Sequence, residues 1–362
     1  MHEPLEDHAL VPPADVAGVR YERRPARDPA GRPIEGLVHA WITLDRPEAL
    51  NAYTTDMVRG LTLAFQRAGV ERDVVAVVLT GAGTRSFCTG GDAKHYAQAY
   101  AGRPDEFRAY LRLFSDAITQ ILLTDKPVIN RVNGMRLAGG NELGLACDLS
   151  VASDLAVFGQ AGPRHGSAPV MGSTDFLPLL TGIERAMLSC TLCEPWSAYE
   201  ALRYGLVSEV VPVLREGDTF VPNPLVVTDR WLDPATGRIV HGTRVDGEAA
   251  AAARTRLAEG TIDLAPLDAA VERLLASFVQ TFPGCLAKTL EALRAHKLER
   301  WSRTKEGNRL WLAQNMMTEA KAGFRAFASG AKGRRTTDHA ELRRRLAAGA
   351  AWDEDLFEAI TP

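Results

Sequence analysis

Two glycine-bearing stretches carry the most legible chemistry in this chain, Phe87-Cys-Thr-Gly-Gly-Asp-Ala-Lys94 and Asn133-Gly-Met-Arg-Leu-Ala-Gly-Gly-Asn-Glu142. Each reads as a tight turn that feeds a helix and leaves backbone N–H groups bare. Two such groups aimed at one oxygen form an oxyanion hole. Glycine suits the role because it lets the backbone approach a ligand closely and tolerates positive φ. One such turn alone is weak evidence, since glycine turns precede many helices. The pair predicts an enzyme that stabilises an enolate. Other chemistries leave no trace: there is no P-loop, no dinucleotide fingerprint after a strand and no His/Cys metal spacing. Cys190-Thr-Leu-Cys193 lacks a second such pair, so the five cysteines read as buried or incidental thiols.

The elements that must position these turns alternate along the chain. Val19–Glu22 and Val38–Leu44 read as strands, and Val74–Thr80 as a buried one. Between them, Thr54 or Thr55 opens a helix with Met57, Leu61, Ala64, Phe65 and Ala68 on its apolar stripe. After the first glycine stretch comes a long amphipathic helix, with Phe107, Tyr110, Leu111, Phe114, Ile118, Ile121 and Leu122 on one face. Lys126–Asn133 and Leu149–Ser153 are short strands around the second stretch, which opens a helix running to Cys147. Strands and helices thus alternate from about residue 38 to 212, which predicts an α/β fold with both sheet faces covered. Residues 215–262 break the rhythm with turn signals such as Pro222-Asn-Pro224 and read as a hairpin-like insertion. The expected division is therefore an α/β core over 1–262 and a helical region over 263–362. No segment repeats at a fixed period.

Composition narrows the class. The 362 residues are 46% hydrophobic and 24% charged, with a net charge of -3. That balance carries no nucleic-acid footprint. Lys332-Gly-Arg-Arg335 and Arg343-Arg-Arg345 read as solvated surface. No apolar run approaches the ~20 residues that span a bilayer. The acidic start, Met1-His-Glu-Pro-Leu-Glu-Asp, lacks a signal peptide's basic and apolar regions, so a cytoplasmic protein is expected.

Several tracts, in order over about 180 residues, resemble the crotonase, or enoyl-CoA hydratase/isomerase, superfamily. They are Asn51-Ala, the two glycine stretches, Ala146-Cys-Asp148, Ala152-Ser-Asp154, Phe158-Gly-Gln160 and Ala201-Leu-Arg-Tyr-Gly-Leu-Val207. The resemblance implies a spiral of ββα repeats with a helical C-terminal region that assembles as a homotrimer or homohexamer. It also implies acyl-CoA thioester substrates, no cofactor, and CoA present only as part of the substrate. Gly91 and Gly139 match the two oxyanion-hole positions, and Glu142 matches the hydratases' first catalytic glutamate. Gly162 stands where those hydratases carry a second glutamate, which counts against a plain two-carboxylate hydratase.

A narrower resemblance, over nearly the whole chain, is to the 6-oxocyclohex-1-ene-1-carbonyl-CoA hydrolases, which open a ring in anaerobic benzoyl-CoA degradation. It rests on Tyr21–Asp28, Gly159–Ser167, Asp175-Phe-Leu-Pro178, the insertion around Phe220–Arg230 with Gly237–Gly242, and Asn315–Ala320. Asp92, Ala138 and Asn141 depart from that pattern, where Asn, Gly and Gln are expected. The Gly159–Ser167 tract also resembles 1,4-dihydroxy-2-naphthoyl-CoA synthase and 2-ketocyclohexanecarboxyl-CoA hydrolase, which work on C–C bonds β to a thioester. A linear-chain enoyl-CoA hydratase or isomerase and a non-catalytic acyl-CoA-binding protein are the rival readings.

Within this frame Glu142 is the best base. It lies within one helical turn of Gly139, so its carboxylate can face the acyl group, and burial would raise its pKa toward neutrality. His165 can move a proton near pH 7 or serve as a structural partner. Ser167 lacks the nucleophile-elbow pattern and reads as a positioning hydroxyl. Asp175 can orient water or cap the following helix. The resemblance assigns Ala52, Thr89, Asp92, Lys94, Asn141 and Gly162 to substrate or CoA binding. Asp92 can instead pair with Lys94 or His95. Lys321 and Arg325 are candidates to reach CoA in a neighbouring subunit, and Tyr53, Trp196 and Phe324 are candidate pocket walls or core.

Overall fold

The computed structural model describes residues 6–331 and 335–361. The basic stretch at 332–335 and the N-terminal reading at 1–5 therefore fall mostly or wholly outside the described residues.

Val19–Arg27 (β1) and Pro33–Leu44 (β2) pair as an antiparallel hairpin. The helix Thr55–Val70 (α1) follows. Of its two candidate caps, Thr54 serves: its hydroxyl accepts the Met57 N–H at 3.3 Å. The expected stripe of α1 is buried.

From here the chain winds through three ββα units. The first is Val74–Gly81 (β3), Ser86–Cys88 (β4), Ala93–Ala99 (α2) and Pro104–Leu123 (α3). The second is Val128–Val132 (β5), Met135–Leu137 (β6) and Gly139–Ala146 (α4). The third is Leu149–Ser153 (β7), Val157–Gly159 (β8) and Ser173–Leu192 (α5). Trp196–Ser197 (β9), Ala198–Arg203 (α6) and Glu209–Val211 (β10) complete the core. The first strand of each unit joins a six-stranded sheet of order β1-β2-β3-β5-β7-β10, parallel from β2 onward. The second strand joins a smaller sheet of order β4-β6-β8-β9. The units begin at Val74, Val128 and Leu149, so unequal connections hide the repeat from any search for a fixed period.

Residues 214–262 leave the core, as expected. Leu214–Glu216 (β11), Thr219–Val221 (β12) and Thr261–Ile262 (β13) form a small antiparallel sheet. The excursion also holds a helix, Gly247–Glu259 (α7), that the hairpin-like reading did not anticipate. Its Ala249–Ala253 run is strongly helix-forming by propensity. Ala265–Val279 (α8), Pro283–Asn315 (α9), Glu319–Ser329 (α10), His339–Ala347 (α11) and Glu354–Ile360 (α12) follow.

Strand alternation divides the core. Ile42, Val77, Leu79 and Val128 pack in the cluster that includes α1, α3 and α9. Trp41, Ala76, Val78, Ile129 and Val151 pack against Leu267, Val271 and Leu275 of α8. Both faces of the large sheet are therefore covered, as a parallel sheet requires. No helix among the described residues is long and apolar enough to cross a membrane.

Candidate active site

The spiral sets β4, β6 and β8 side by side, so the three loops that leave their C-terminal ends converge. These are residues 89–92, residue 138 and residues 160–172. Together they border a cavity of about 630 Å³.

Two backbone donors face this convergence. The N–H of Gly91 has no acceptor among the described residues. Gly139 is the first residue of α4, where an N–H has no intrahelical partner. The two loops touch: a Cβ built on Gly90 would lie 3.0 Å from the Gly139 nitrogen. Gly91 and Gly139 both line the cavity. The positive end of α4 adds to the field at this point.

The turn into α4 is strained. Ala138 adopts φ 49° and ψ -128°, a region that belongs to glycine. Relief of such strain is worth about 1–3 kcal/mol, against ~0.5–1 kcal/mol of extra chain entropy for glycine. Ala138→Gly is therefore expected to leave stability unchanged or raise it by up to about 2 kcal/mol. Chemical denaturation checks this, and a loss above 1 kcal/mol would refute the strain.

Glu142 is buried on the first turn of α4 and lines the cavity. Its Oε1 accepts the Met171 N–H at 3.0 Å. Burial pushes its carboxyl up to about 8, and the nearby Asp175 adds to this; the N–H groups of Met171 and Ser173 oppose it without winning. A carboxyl tuned near neutrality beside an oxyanion hole suits proton transfer to and from an enolate.

The third loop packs closely around Gly162. His165 and Ser167 both return their N–H groups to the Gly162 carbonyl at 2.9 Å. A Cβ on Gly162 would lie 3.0 Å from the Ser167 carbonyl oxygen. A side chain at Gly162 would therefore crowd the Ser167 carbonyl. The other carboxylates on the wall are Glu48 and Asp92. Asp92 caps α2 through the N–H groups of Lys94 and His95 and pairs with Arg46 at 2.6 Å. Partial burial opposes its ionisation, but Arg46 and these N–H groups hold it below its usual value.

Sequence comparison decides the family. The family model for enoyl-CoA hydratase/isomerase matches residues 38–238. The chain belongs to the enoyl-CoA hydratase/isomerase family. It is 53% identical over 359 residues to a 6-oxocyclohex-1-ene-1-carbonyl-CoA hydrolase of Thauera aromatica, covering 99% of this chain and 95% of the relative. It is 54% identical over 364 residues to the enzyme of the same name from Geobacter metallireducens, with the same coverage of each. Among solved structures, an enoyl-CoA hydratase/isomerase from Xanthobacter autotrophicus superposes with a TM-score of 0.62 at 24% identity, covering 94% of this chain and 99% of that one. This likeness speaks for the fold alone.

Within this enoyl-CoA hydratase/isomerase site, Ala52, Thr89, Asp92, Lys94, Gly162, His165 and Ser167 join Gly91, Gly139 and Glu142 on the cavity wall. Burial, and then the charges of His339 and Arg164, lower the pKa of His165. Two candidates fall elsewhere. Asn141 points into the core, where its Oδ1 accepts the Arg136 Nε at 2.9 Å. Asp175 sits in the first turn of α5 and accepts the Thr304 hydroxyl at 2.8 Å. It does not cap α5, whose N-cap is Gly172 with no side-chain bond. Trp196 is core, whereas Tyr53 and Phe324 line the cavity. Lys321 and Arg325 are both engaged with Glu354 of their own chain. Tyr96 and Tyr110 also line the cavity and were not singled out in the sequence. Only the aromatic spacing of α3 hinted at Tyr110. Among the described residues no cluster of three or more His, Cys, Asp or Glu could hold a metal ion.

Proposed function

We propose that this chain opens the ring of 6-oxocyclohex-1-ene-1-carbonyl-CoA by adding two waters, yielding 3-hydroxypimeloyl-CoA, in the anaerobic degradation of benzoyl-CoA. The observation that carries the reading is a single buried carboxylate, Glu142, facing a backbone oxyanion hole where a two-carboxylate hydratase would carry a second. Near-complete coverage by relatives bearing that enzyme name supports it.

The residues suit two steps through one enolate. The Gly91 and Gly139 N–H groups receive the thioester oxygen. Glu142, ionised, takes a proton from water as it adds to the ring C=C, and the charge that develops on the thioester oxygen falls on the two donors. The same carboxyl returns a proton to the α-carbon. A second water then attacks the ring ketone. The bond between the ketone carbon and the α-carbon breaks, its electron pair re-forms the thioester enolate, and the ketone carbon becomes a carboxyl group at the other end of the opened chain; Glu142, having taken a proton from this water, returns it to the α-carbon. Losing one oxyanion donor costs about 2.7–4 kcal/mol in comparable enzymes. His165 and Ser167 are placed to orient the second water. No cofactor enters this scheme, and CoA is part of the substrate.

Lys94 and Arg46 at the cavity wall suit the CoA phosphates. Exposed Leu310, Trp311 and Met317 suit assembly through the helical region; the homotrimer or homohexamer rests on the family resemblance alone, and the cytoplasmic location is an expectation from the sequence.

Incubating the purified protein with the ketone thioester and following products by mass spectrometry tests the reading. The expected product is heavier by two waters. A product heavier by one water makes the chain a hydratase, and efficient turnover of crotonyl-CoA in place of the ring thioester makes it a linear-chain one.

A further inference from the structure

Three tyrosines crowd the oxyanion hole. Tyr53, Tyr96 and Tyr110 are buried and line the cavity. Tyr53 comes from the loop before α1, Tyr96 from α2 and Tyr110 from α3. The hydroxyls of Tyr96 and Tyr53 lie beside the two glycines, and Tyr110 joins them through Tyr96. A Cβ built on Gly91 would lie 1.9 Å from the Tyr96 hydroxyl, and one on Gly139 would lie 1.9 Å from that of Tyr53. The phenols thus fill the space that any side chain at either glycine would need.

Packing fixes their direction. Tyr96 meets Tyr110 and Phe324 edge-on, with ring centroids 5.4 and 5.3 Å apart. Tyr53 stacks on Phe114 at 5.3 Å. The hydroxyls of Tyr96 and Tyr110 share a short hydrogen bond. Three phenols carry three O–H donors. Even with a second bond between Tyr53 and Tyr96, one O–H has no protein acceptor among the described residues. A donor left without a protein partner at the cavity wall is open to a polar group of the ligand.

The proposed substrate supplies one. It carries two carbonyl oxygens in a 1,3 relation, and the glycine N–H groups serve the thioester oxygen. Water attack turns the ring ketone into an alkoxide, which needs donors of its own, and anionic Glu142 cannot provide them. Resting on the functional reading above, we propose that the phenol cluster is a second oxyanion site. Tyr96, supported by Tyr110 and Tyr53, donates to the ring-ketone oxygen, so that the site selects thioesters bearing a β-carbonyl. The step moves no phenolic proton to completion. Tyr96 donates a hydrogen bond while Glu142 takes one proton from the water and the hydroxyl adds to the ketone carbon; the bond relaxes as the C–C electron pair passes to the thioester enolate and the carboxyl forms, and Glu142 returns the proton to the α-carbon.

The test is the partition between the two steps. Wild type and Tyr96→Phe are each given the ketone thioester, and the once-hydrated ring and the ring-opened product are quantified over time. Tyr96→Phe should raise the ratio of hydrated ring to opened product by at least tenfold, and by up to the ~10²–10³-fold known for loss of one oxyanion donor. Tyr110→Phe should shift the ratio the same way but less, and it carries the test if Tyr96→Phe does not fold. An unchanged ratio in both variants would make the phenols a packing feature. Equal slowing of both steps would assign them to the thioester oxygen. A shift produced by Ser167→Ala but not by Tyr96→Phe would place the ketone against the third loop. Each of these three outcomes overturns the proposal. If wild type itself leaves the ketone thioester intact, the functional reading fails first, and the proposal with it.

Discussion

Glu142→Gln is expected to lower turnover at least tenfold, and by ~10²–10⁴-fold if the carboxyl serves both proton transfers. Binding of the CoA thioester should persist, because the glycine donors and the cavity are untouched. Isothermal titration with a non-reacting thioester, alongside steady-state kinetics, separates the two. Unchanged turnover would remove Glu142 from the mechanism. The wild-type pH profile follows from the same group. Glu142 must be ionised to accept a proton from water, and burial holds it near 8. kcat/KM should therefore rise with pH and level off above about 8. A profile already flat at pH 6 would contradict that environment.

Stability moves the opposite way. The unfolded chain releases this proton near 4.5 and the folded one near 8. Between those values the folded state binds more protons, so stability falls as pH rises. The contribution is complete below about 4.5 and lost through about 8. Glutamine has no such loss. Glu142→Gln should thus melt near wild type at pH 5 and clearly above it at pH 9. The proposed base thus weakens the fold at the pH where it is ionised.

Arg294→Ala is expected to destabilise the protein by about 3–5 kcal/mol, the range for removing one partner of a buried ion pair. Against a typical total of ~5–15 kcal/mol, that is a large share. Arg294, on α9, forms a two-pronged pair with Asp148, Nε to Oδ1 at 2.7 Å and Nη2 to Oδ2 at 2.6 Å. It also donates to the carbonyls of Leu122, Thr124 and Lys126, which closes the C-terminal end of α3. Its removal strands a carboxylate and leaves these carbonyls short of a donor. One turn on, Lys297 donates to the carbonyls of Leu145 and Cys147 at 2.8 and 2.7 Å, at the far end of the oxyanion helix α4. Urea denaturation of Arg294→Ala, and of the double variant with Asp148→Asn, measures the pair. The double variant should recover part of the loss, since it no longer buries an unpaired charge. A cost below 1 kcal/mol for the single variant would mean that α9 docks without this tether.

Much of the frame was legible because its causes are local. The apolar stripes of α1 and α3 are helical spacings read directly, and every residue expected on them is buried. The glycine turns announced themselves because a backbone donor at close approach excludes a side chain. Gly162 was visible as a glycine in a tight loop, and the structure shows His165 and Ser167 folding back on its carbonyl. Ala138 stood out as a misfit where glycine belongs, and its backbone bears this out. The helix α7 was missed although its alanines favoured it, because the surrounding turn signals outweighed propensity.

What the sequence by itself offered were the candidates for donors and base: two glycines that leave N–H groups bare, and a glutamate one turn beyond, all three on the wall of one cavity. What it could not settle was the direction of side chains on helices whose rotation depends on their neighbours. Asn141 and Glu142 are adjacent, yet packing turns one toward Arg136 and the other toward the cavity. Asp175 was placed by the same logic against Thr304 on α9. Tyr53, Tyr96 and Tyr110 belong to three separate segments. Only the docking of α2 and α3 over the turn before α1 gathers their hydroxyls at one oxyanion hole, because convergence across segments is a property of packing and leaves no spacing in the chain.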